Sequence, residues 1–381
     1  MPMSTRGIFE KGEGILRLMP VFIAHKFSKP GFRLRLHPDD YYGLGMKNGA
    51  IKERLLSTVM ARPSYIDTEG DSISLADMVK EMGADIIGEE LMENHGTWPI
   101  HAKFFDYGEP LFHHLHLDFD KAAPVGHLGK PEAYYFPPQM NNHPGTFPHT
   151  YFGLDPSTTK EMVLKCLRDF ETRDTNITAL SRAFRLEMGT GWYVPPGVLH
   201  APGSYCTYEP QWNSYSGAVY QNVVAGEVFS IDGLRNCCPD GKKDDLNYML
   251  DLIDWNINVD PHFKEHYFRP PVLCREGEGY TENWITYNNP YFSAKELTVN
   301  PGQTVTVIDD AAYGCVLVQG HGKFGVYDAE AATMVRLGQR TADEYFVSQM
   351  AAKKGVTITN ASMFEPMVIL KHFADDLICQ L

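Results

Sequence analysis

Residues 191–203, GWYVPPGVLHAPG, constrain the fold most strongly, because two apolar runs flank a Pro-Pro-Gly turn. Proline fixes its own φ angle and glycine accepts backbone angles that other residues avoid, so Pro195-Pro196-Gly197 marks a sharp change of chain direction. The run after the turn re-enters a strand, in which Val198 and His200 share a face. The segment therefore predicts a strand, a turn and a second strand that presents a histidine.

Strand signals and Gly/Pro turns dominate much of the remaining sequence. They run from Pro99 to Phe136 and from Phe184 to about Ile231, and they fill the last hundred residues. Short strands at regular spacing are typical of sandwiches and jelly rolls. Two strand-rich blocks separate near residue 270. We therefore expect a mainly β protein with two domains, residues 1–270 and 271–381, and a helical segment at about residues 155–183.

Three further segments give local predictions that the structure can test. The run SISLADMVKEMGADIIGEELMENHG indicates a helix with Ser74 or Ser72 as its N-cap and with Gly83 and Gly96 as stop signals. The run FRLRLH, residues 32–37, alternates apolar and basic residues and predicts a strand. In the segment that begins PSTTKEM, Thr158 and Glu161 have the spacing of a capping box.

Charge and composition exclude several classes of protein. The 381 residues carry a net charge of −14, which argues against a nucleic-acid or anionic-membrane partner. Seven cysteines without a CxxC pair indicate free thiols and a reducing compartment. The N-terminal sequence has no long apolar run, and no stretch approaches the roughly 18–20 apolar residues of a membrane span. We expect a cytoplasmic protein; a homodimer is the candidate oligomer.

The run LFHHLHLDFD, residues 111–120, places three histidines within ten positions. Alternate residues of a strand share a face, so His114 and His116 point the same way, about 7 Å apart. His113 points to the opposite face, toward leucines, and is not expected to bind a metal. A polar strand facing solvent is the alternative for a His-x-His pair alone.

Both motifs together resemble the cupin superfamily. Pro195-x-Gly197-x-x-His200 has the spacing of the second cupin motif, and His-x-His followed by a Glu is the first. Glu132 of GHLGKPEAYYF is the candidate for that Glu. The resemblance implies a divalent metal ion held by His114, His116, Glu132 and His200. Zinc is the first choice, with manganese, iron or nickel as alternatives.

The order of motifs also resembles the type I phosphomannose isomerases over residues 15–225. The resemblance implies two cupin-type jelly-roll β-barrels with a small helical insertion, the second a degenerate barrel without metal. The family's active-site lysine corresponds to Lys130. The family pattern Tyr-Glu-x-Gln-x-Asn-Ser corresponds to YEPQWNS, in which Glu209 is the base by resemblance. Where the family has a catalytic arginine, ten residues after that Glu, this chain has Val219.

The function implied is a metal-dependent aldose–ketose isomerase that acts on a small sugar or sugar phosphate through a cis-enediol. Lys130 and Glu209 are the catalytic candidates. Tyr134, Gln211 and Trp212 are the candidates for substrate contacts, with core packing as the alternative for the aromatic ones. The rival functions are an iron-dependent cupin dioxygenase and a non-catalytic sugar-binding cupin. Val219 in place of the arginine favours an unphosphorylated or differently charged sugar over mannose 6-phosphate.

Overall fold

The computed structural model describes residues 4–68 and 73–374, and most of its regular structure is strand. The strands of the first part are β1 (Ile15–Arg17), β2 (Val21–His25), β3 (Ala50–Leu56), β4 (Ile100–Phe105), β5 (His114–Leu115), β6 (Glu132–Tyr135), β7 (His149–Leu154), β8 (Ser181–Arg185), β9 (Gly191–Val194), β10 (His200–Ala201), β11 (Thr207–Trp212), β12 (Ala218–Val219), β13 (Val223–Val224), β14 (Glu227–Val228) and β15 (Phe268–Arg269). The later strands are β16 (Val272–Gly277), β17 (Tyr280–Thr286), β18 (Phe292–Val299), β19 (Thr304–Val307), β20 (Tyr313–Gln319), β21 (His321–Phe324), β22 (Tyr327–Glu330), β23 (Glu344–Val347), β24 (Val356–Asn360) and β25 (Met367–Ala374).

The helices are short and lie mostly in the first 270 residues. They are α1 (Thr5–Lys11), α2 (Leu75–Met82), α3 (Ala84–Ile87), α4 (Glu89–His95), α5 (Phe119–Ala122), α6 (Lys160–Arg168), α7 (Asp232–Arg235), α8 (Leu246–Asp251), α9 (Trp255–Asn258), α10 (Phe263–Tyr267) and α11 (Gln349–Lys354). Single 3₁₀ turns occur at Pro38–Asp40, Met46–Asn48, Ala123–Val125, Pro138–Met140, Ile177–Leu180 and Asp240–Lys242. None of the helices described is long and apolar enough to cross a membrane.

Two antiparallel sheets form the first jelly roll. Seven strands, in the order β15-β9-β6-β11-β4-β3-β2, make its large sheet, and five strands, β12-β5-β10-β7-β8, make its small sheet. Aromatic and aliphatic side chains from both sheets, including Phe105, Tyr134 and Trp192 from one and Phe152 from the other, pack into a shared core. The predicted functional residues come from both sheets, so the space between the sheets is where they meet.

A second pair of sheets forms the other jelly roll. Its large sheet has the order β1-β23-β20-β25-β18-β17-β16, and its small sheet has the order β19-β24-β21-β22. The predicted fold class, mainly β with two cupin-type jelly rolls and a small helical insertion, is confirmed. Strand β1 pairs with β23, so a segment from the start of the chain belongs to the later sheet. The domain boundary near residue 270 stays a prediction.

The two large sheets pack against each other. Their contact buries side chains such as Ile51, Phe104 and Tyr208 of the first sheet against Val316 and Leu370 of the second. Polar groups cross the same contact, since the hydroxyl of Tyr208 donates a hydrogen bond to Nδ1 of His372 at 2.8 Å. The large sheet of the first jelly roll is therefore buried on both faces. One face packs against the second roll, and the opposite face is turned toward the cavity.

The glycines predicted to stop the first helix do more than end it. Gly83, which was predicted to stop the helix, and Gly88, which was not, have positive φ and divide the segment into α2, α3 and α4, whereas Gly96 ends α4 as predicted. Ser74 caps α2 by accepting from the Asp77 amide, in a capping box; Ser72 lies outside the described residues. The capping prediction for α6 was off by one residue, because Thr159 and not Thr158 caps that helix.

The strand predicted at residues 32–37 was wrong. Phe32 and Arg35 have φ values of 61° and 57°, which no regular strand allows, and only Leu36 makes an isolated bridge. The buried guanidinium of Arg33 forms an ion pair with Asp106 at 2.7 Å, and its backbone amide also donates to that carboxylate. The need to keep this buried ion pair together determines the backbone conformation of the segment. It overrides the strand preference that the alternation of apolar and basic residues indicates.

Candidate active site

Three histidines converge in the space between the sheets of the first jelly roll. His114 of β5 and His200 of β10 are direct cross-strand partners, and His116 lies just beyond the end of β5. One ring nitrogen of each lies within 4.8 Å of those of the other two. Strand parity therefore predicted correctly that His114 and His116 face the same way, and the Pro-Pro-Gly turn brings His200 beside them.

Each of the three imidazoles is oriented by the backbone. Every Nδ1 lies within hydrogen-bonding distance of a carbonyl oxygen, which can only accept, so Nδ1 carries the proton and Nε2 is left with a lone pair. The acceptors are Phe112 O for His114 at 3.0 Å, Ser216 O for His116 at 2.5 Å and Val198 O for His200 at 2.8 Å. This arrangement is typical of metal-ligating histidines, because it fixes both tautomer and ring direction.

Burial favours the neutral form of two of these rings, those of His114 and His116. Desolvation lowers the pKa of His116 to about 4, helped by the nearby charge of Lys130, and it lowers the pKa of His114 well below the usual value. A neutral imidazole is the form that binds a metal ion. The rings of His114 and His116 are therefore in the protonation state that a divalent cation requires.

Glu132 of β6 adjoins the cluster from the opposite sheet. Its Oε1 lies 3.0 Å from Nε2 of His200, and its Oε2 lies 3.1 Å from Nε2 of His116. Lys130 donates to Oε2 at 2.6 Å, and the hydroxyl of Tyr134 donates to Oε1 at 2.8 Å. Desolvation opposes ionisation of Glu132, but the charge of Lys130 outweighs it and holds the pKa of Glu132 well below the usual value.

Glu209 of β11 lies deeper in the same space and differs from Glu132 in its electrostatics. Its Oε1 is 3.3 Å from Nζ of Lys103 and 3.6 Å from Nζ of Lys130. Desolvation, together with repulsion from the charge of Glu132, raises the pKa of Glu209 to about 8. Two carboxyl groups in one cavity therefore have pKa values displaced in opposite directions, which is a recurrent property of acid–base sites.

The sequence prediction missed Lys103 and Glu53. Lys103 of β4 lies between two buried carboxylates, with Nζ 3.3 Å from Glu53 and the same distance from Glu209. Desolvation lowers the pKa of Lys103, but these two carboxylates outweigh it and raise the pKa above the usual value. The signal that could have found Lys103 is the pairing of β4 with β11, in which Lys103 is the direct partner of Glu209.

The cavity around this cluster has two lobes, of about 330 and 410 Å³, which share His25, Glu53, Lys103, His116 and Lys130 among their lining residues. The first lobe reaches His114 and has a largely apolar side, lined by Phe27, Phe105, Leu111, Phe112, Pro202 and Val219. The second lobe has a polar side, lined by Arg62, His101, Gln211, Ser214 and Ser216. Lobes of this volume suit a small polar molecule.

Comparisons with known proteins bear on the fold. The chain matches no family model, and the search of curated proteins found no significant match. Solved structures do match, over almost the whole length. Mannose 6-phosphate isomerase from Bacillus subtilis is 17% identical, with a TM-score of 0.65, and the alignment covers 94% of this chain and 99% of that one.

The chain has the fold of the phosphomannose isomerases. A variant of phosphomannose isomerase from Salmonella typhimurium is 10% identical, with a TM-score of 0.68 over 95% of this chain and 100% of that one. A zinc-bound mannose 6-phosphate isomerase is 10% identical, with a TM-score of 0.66 and the same coverage. The resemblance predicted from the motifs is therefore confirmed at the level of the fold.

Within the phosphomannose isomerase fold, Val219 lies where the cavity meets the histidines. It is the direct cross-strand partner of His114 and lines the first lobe. Two arginines of the same half of the chain bind elsewhere: Arg182 donates to the carbonyl groups of Asp260 and Asn258, and Arg235 pairs with Asp244. Neither lines either lobe of the cavity.

The three predicted substrate contacts have different surroundings. Tyr134 lines the first lobe, and Gln211 lines the second, where its Nε2 lies 3.0 Å from Nε2 of His101. Trp212 is 7% exposed and packs against the rings of Phe119 and His95 in the hydrophobic core. The position of Trp212 therefore favours core packing over substrate binding.

His113 lies apart from the other three histidines, in the direction that strand parity predicted. Its Nδ1 is 2.9 Å from the side-chain oxygen of Gln221, and its ring is 4.8 Å from that of Tyr151. Burial lowers the pKa of His113 to about 4. Among the described residues, the group that could hold a metal ion consists of His114, His116 and His200 and does not include His113.

Proposed function

We propose that this protein is a metal-dependent aldose–ketose isomerase of the phosphomannose isomerase type. The observation that carries the proposal is the contact between His200 and Glu132. With the proton of the His200 ring on Nδ1, which faces the Val198 carbonyl oxygen, the buried Nε2 offers a lone pair and has no hydrogen-bond partner, yet it lies 3.0 Å from a carboxylate oxygen. Two acceptors at this distance repel each other unless a cation lies between or beside them.

A divalent ion fits this donor set. His114, His116 and His200 offer three imidazole nitrogens and Glu132 offers a carboxylate oxygen, which suits zinc best and leaves room for substrate oxygens. The zinc-bound mannose 6-phosphate isomerase that shares the fold supports zinc as the first choice, ahead of manganese, iron or nickel. When bound, the ion supplies Lewis acidity to the carbonyl and hydroxyl oxygens of a sugar.

Glu209 is the group that we assign to proton transfer between the two carbons. Its pKa of about 8 makes it a stronger base than an ordinary carboxylate and a usable acid after it accepts the proton. Glu209 would take the proton from C2 of the aldose and return it to C1, while a second proton leaves the oxygen on C2 and one is added to the oxygen on C1, with Lys130 as the relay between these oxygens.

Lys130 and Lys103 compensate the negative charges of the carboxylates in the site. Lys130 contacts both Glu132 and Glu209, so it orients the ligand carboxylate and can pass a proton toward substrate oxygens. Lys103 bridges Glu209 and Glu53 and stabilises the ionised form of Glu209 while that residue acts as a base. Tyr134 and Gln211 are proposed to contact the sugar from the two lobes.

The partners and the environment of the protein follow the same reasoning. A sugar or sugar phosphate is the proposed ligand, and the net charge of −14 supports the absence of a nucleic-acid partner. Cytoplasmic location, the homodimer and the domain boundary near residue 270 stay predictions.

The test is the exchange of hydrogen at C2 in D₂O. Metal-loaded protein is incubated with a panel of free and phosphorylated aldoses and ketoses, and deuterium incorporation and product are followed by NMR. Isomerisation with C2 exchange that a chelator abolishes is the expected result. Oxygen consumption without isomerisation assigns the site to the dioxygenase alternative. Sugar binding without turnover of any panel member assigns it to a binding protein.

A further inference from the structure

Three phenylalanines form an aromatic wall, of which Phe27 and Phe112 line one side of the first lobe and Phe229 packs against both. This wall consists of Phe27, Phe112 and Phe229, whose ring centroids are 5.3 Å (Phe27–Phe112), 4.7 Å (Phe112–Phe229) and 6.3 Å (Phe27–Phe229) apart. The ring of Phe112 is also 5.5 Å from that of His114. An apolar surface therefore begins directly beside the proposed metal ligands.

The wall is tied rigidly to the rest of the site. The carbonyl group of Phe112 is the acceptor that orients His114, so ring and ligand belong to one short segment. Both oxygens of Glu227, on the β13–β14 hairpin that precedes Phe229, accept from the backbone amide of Ser28, at 2.9 and 3.1 Å. This contact holds the hairpin against the segment that carries Phe27. The wall is thus a built surface of the cavity.

Among the described residues that line the first lobe, both lysines are already paired with carboxylates and are therefore poorly placed to bind a phosphate. The lining of this lobe includes the lysines Lys103 and Lys130 against the carboxylates Glu53, Glu132 and Glu209. Val219, opposite His114, adds an apolar side chain to the same side of the lobe. A dianion placed against this side loses its hydration without gaining a cation.

We propose that the aromatic wall and Val219 bind the methyl end of an uncharged 6-deoxyaldose, and that Phe112 and Val219 determine this specificity. The inference rests on the proposed function, since it takes C1 and C2 of the sugar to lie beside the histidines and Glu209. The carbon chain then extends along the first lobe, and its last carbon meets Phe112. A methyl group gains from this contact, whereas a hydroxyl or phosphate loses hydrogen bonds to water.

The experiment measures binding of alditols, which cannot isomerise, so its result does not depend on turnover. Zinc-loaded protein is titrated by calorimetry with 6-deoxymannitol, mannitol and mannitol 6-phosphate. The expected order of affinity is 6-deoxymannitol above mannitol by roughly tenfold, with mannitol 6-phosphate weakest. Tightest binding of mannitol 6-phosphate, equal binding of all three or binding of none overturns the inference. C2 exchange in the sugar panel tests the isomerase proposal separately.

Variants locate the specificity in the wall. Phe112→Ala is expected to reduce the tenfold preference for the deoxy ligand to about twofold or less, whereas Phe112→Leu keeps most of it. Phe364→Ala, at a phenylalanine that is 96% exposed and far along the chain, is the matched control and leaves the preference unchanged. Retained zinc and an unchanged melting temperature show that each variant is folded. A Phe112→Ala protein that keeps the full preference overturns the role of the wall.

Val219→Arg and Arg62→Gln separate this surface from the second lobe. Val219→Arg, compared with Val219→Met of similar size, is expected to raise the affinity for mannitol 6-phosphate about tenfold or more by adding a cation opposite His114. Arg62 is exposed and lines the second lobe, and Arg62→Gln is expected to leave the affinity order unchanged. Tight binding of mannitol 6-phosphate that Arg62→Gln abolishes overturns the inference in favour of a phosphate site in that lobe.

Discussion

The two jelly rolls bury charge in opposite ways. The first holds neutral histidines and carboxyl groups around an open cavity. The second holds a closed ionic cluster across neighbouring strands of its large sheet, formed by Arg275, Glu282, Lys295, Asp309 and Lys371. Lys371 contacts Glu282 at 2.6 Å and Asp309 at 2.5 Å, and Lys295 contacts Asp309 at 2.7 Å. Buried charges in the second roll satisfy one another, whereas those in the first are arranged around a ligand.

This difference separates stability from function within one fold. In the ionic cluster, desolvation opposes ionisation of Asp309, but Lys371 and Lys295 outweigh it and hold its pKa below the usual value. Glu282 and Asp309 each contact the same three cations, so removing one cation leaves both buried carboxylates less well compensated. In the first roll, Nε2 of His200 has no hydrogen-bond partner, and the raised pKa of Glu209 shows an acid that its neighbours do not fully stabilise. Unsatisfied groups of this kind are expected where a ligand completes the site.

The largest effect is expected from His200→Ala. Loss of one of three imidazoles should remove the metal ion and abolish isomerisation, because the remaining donors do not close a four-ligand site. Elemental analysis of purified protein and the C2-exchange assay measure both outcomes. His372→Gln, at a buried histidine of the second roll, is the matched control and should keep a full equivalent of metal. Full metal content in His200→Ala contradicts the ligand assignment.

Glu209→Gln should keep the metal and lower kcat by about 10²–10⁴-fold, the usual contribution of a general base. The unmodified enzyme should show kcat rising with pH toward about 8, since the base must be deprotonated. A variant rate within a factor of three of the original contradicts the role of Glu209 as base.

The same carboxyl group predicts a pH dependence of stability in the metal-free protein. The folded pKa of Glu209, about 8, lies above the usual 4.5, so the folded state binds the proton more tightly than the unfolded state does. Its stabilising contribution is complete below pH 4.5 and is lost as the pH rises to 8. Urea denaturation from pH 5 to 8 should therefore show a steeper decline in the original protein than in Glu209→Gln. Parallel declines contradict the raised pKa.

Lys371→Met tests the ionic cluster of the second roll. It leaves Glu282 and Asp309 buried without their closest cation and should reduce the free energy of unfolding by about 3–5 kcal/mol. Metal content and kcat measured at a temperature where the variant is folded should not change. Lys323→Met, at a lysine on the exposed face of β21, is the control and should shift stability by less than about 0.5 kcal/mol. Metal loss in Lys371→Met contradicts the separation of the two rolls.

The smallest effect is expected from His113→Gln. The ring of His113 is buried and hydrogen-bonded to Gln221, so its replacement should cost roughly 1–2 kcal/mol of stability. The metal ion should remain, because the ring faces away from His114 and His116. Metal loss like that of His116→Ala shows that the ligand set is misassigned.

The features that could be predicted from the sequence are those that strand alternation and turn-forming residues determine. The alternation in residues 111–120 separated His113 from His114 and His116 correctly, and the Pro-Pro-Gly turn identified His200. The segment of α2, α3 and α4 was predicted as helix with stops at Gly83 and Gly96, which end α2 and α4, but the break at Gly88 between α3 and α4 was not predicted. Local rules of this kind require no knowledge of distant residues.

The rest depended on partners far along the chain. The run IHAKFF shows that His101 and Lys103 share a face, but only pairing of β4 with β11 shows that this face meets Glu209. Residues 32–37 alternate like a strand, yet the buried contact of Arg33 with Asp106 sets their conformation. Trp212 is one residue from Gln211, and parity directs it to the opposite side of β11, into the core.

The pairing of β1 with β23 has a consequence for synthesis on the ribosome. Ile15 pairs with Val347, so at roughly 5–20 residues per second the first strand waits tens of seconds for its partner. The histidine-bearing roll can close during that interval, but the later sheet cannot be completed until nearly the whole chain has emerged. A strand that is synthesised early thus joins its sheet only in the final step of folding. A fragment that begins after residue 270 lacks β1, the edge strand of that sheet.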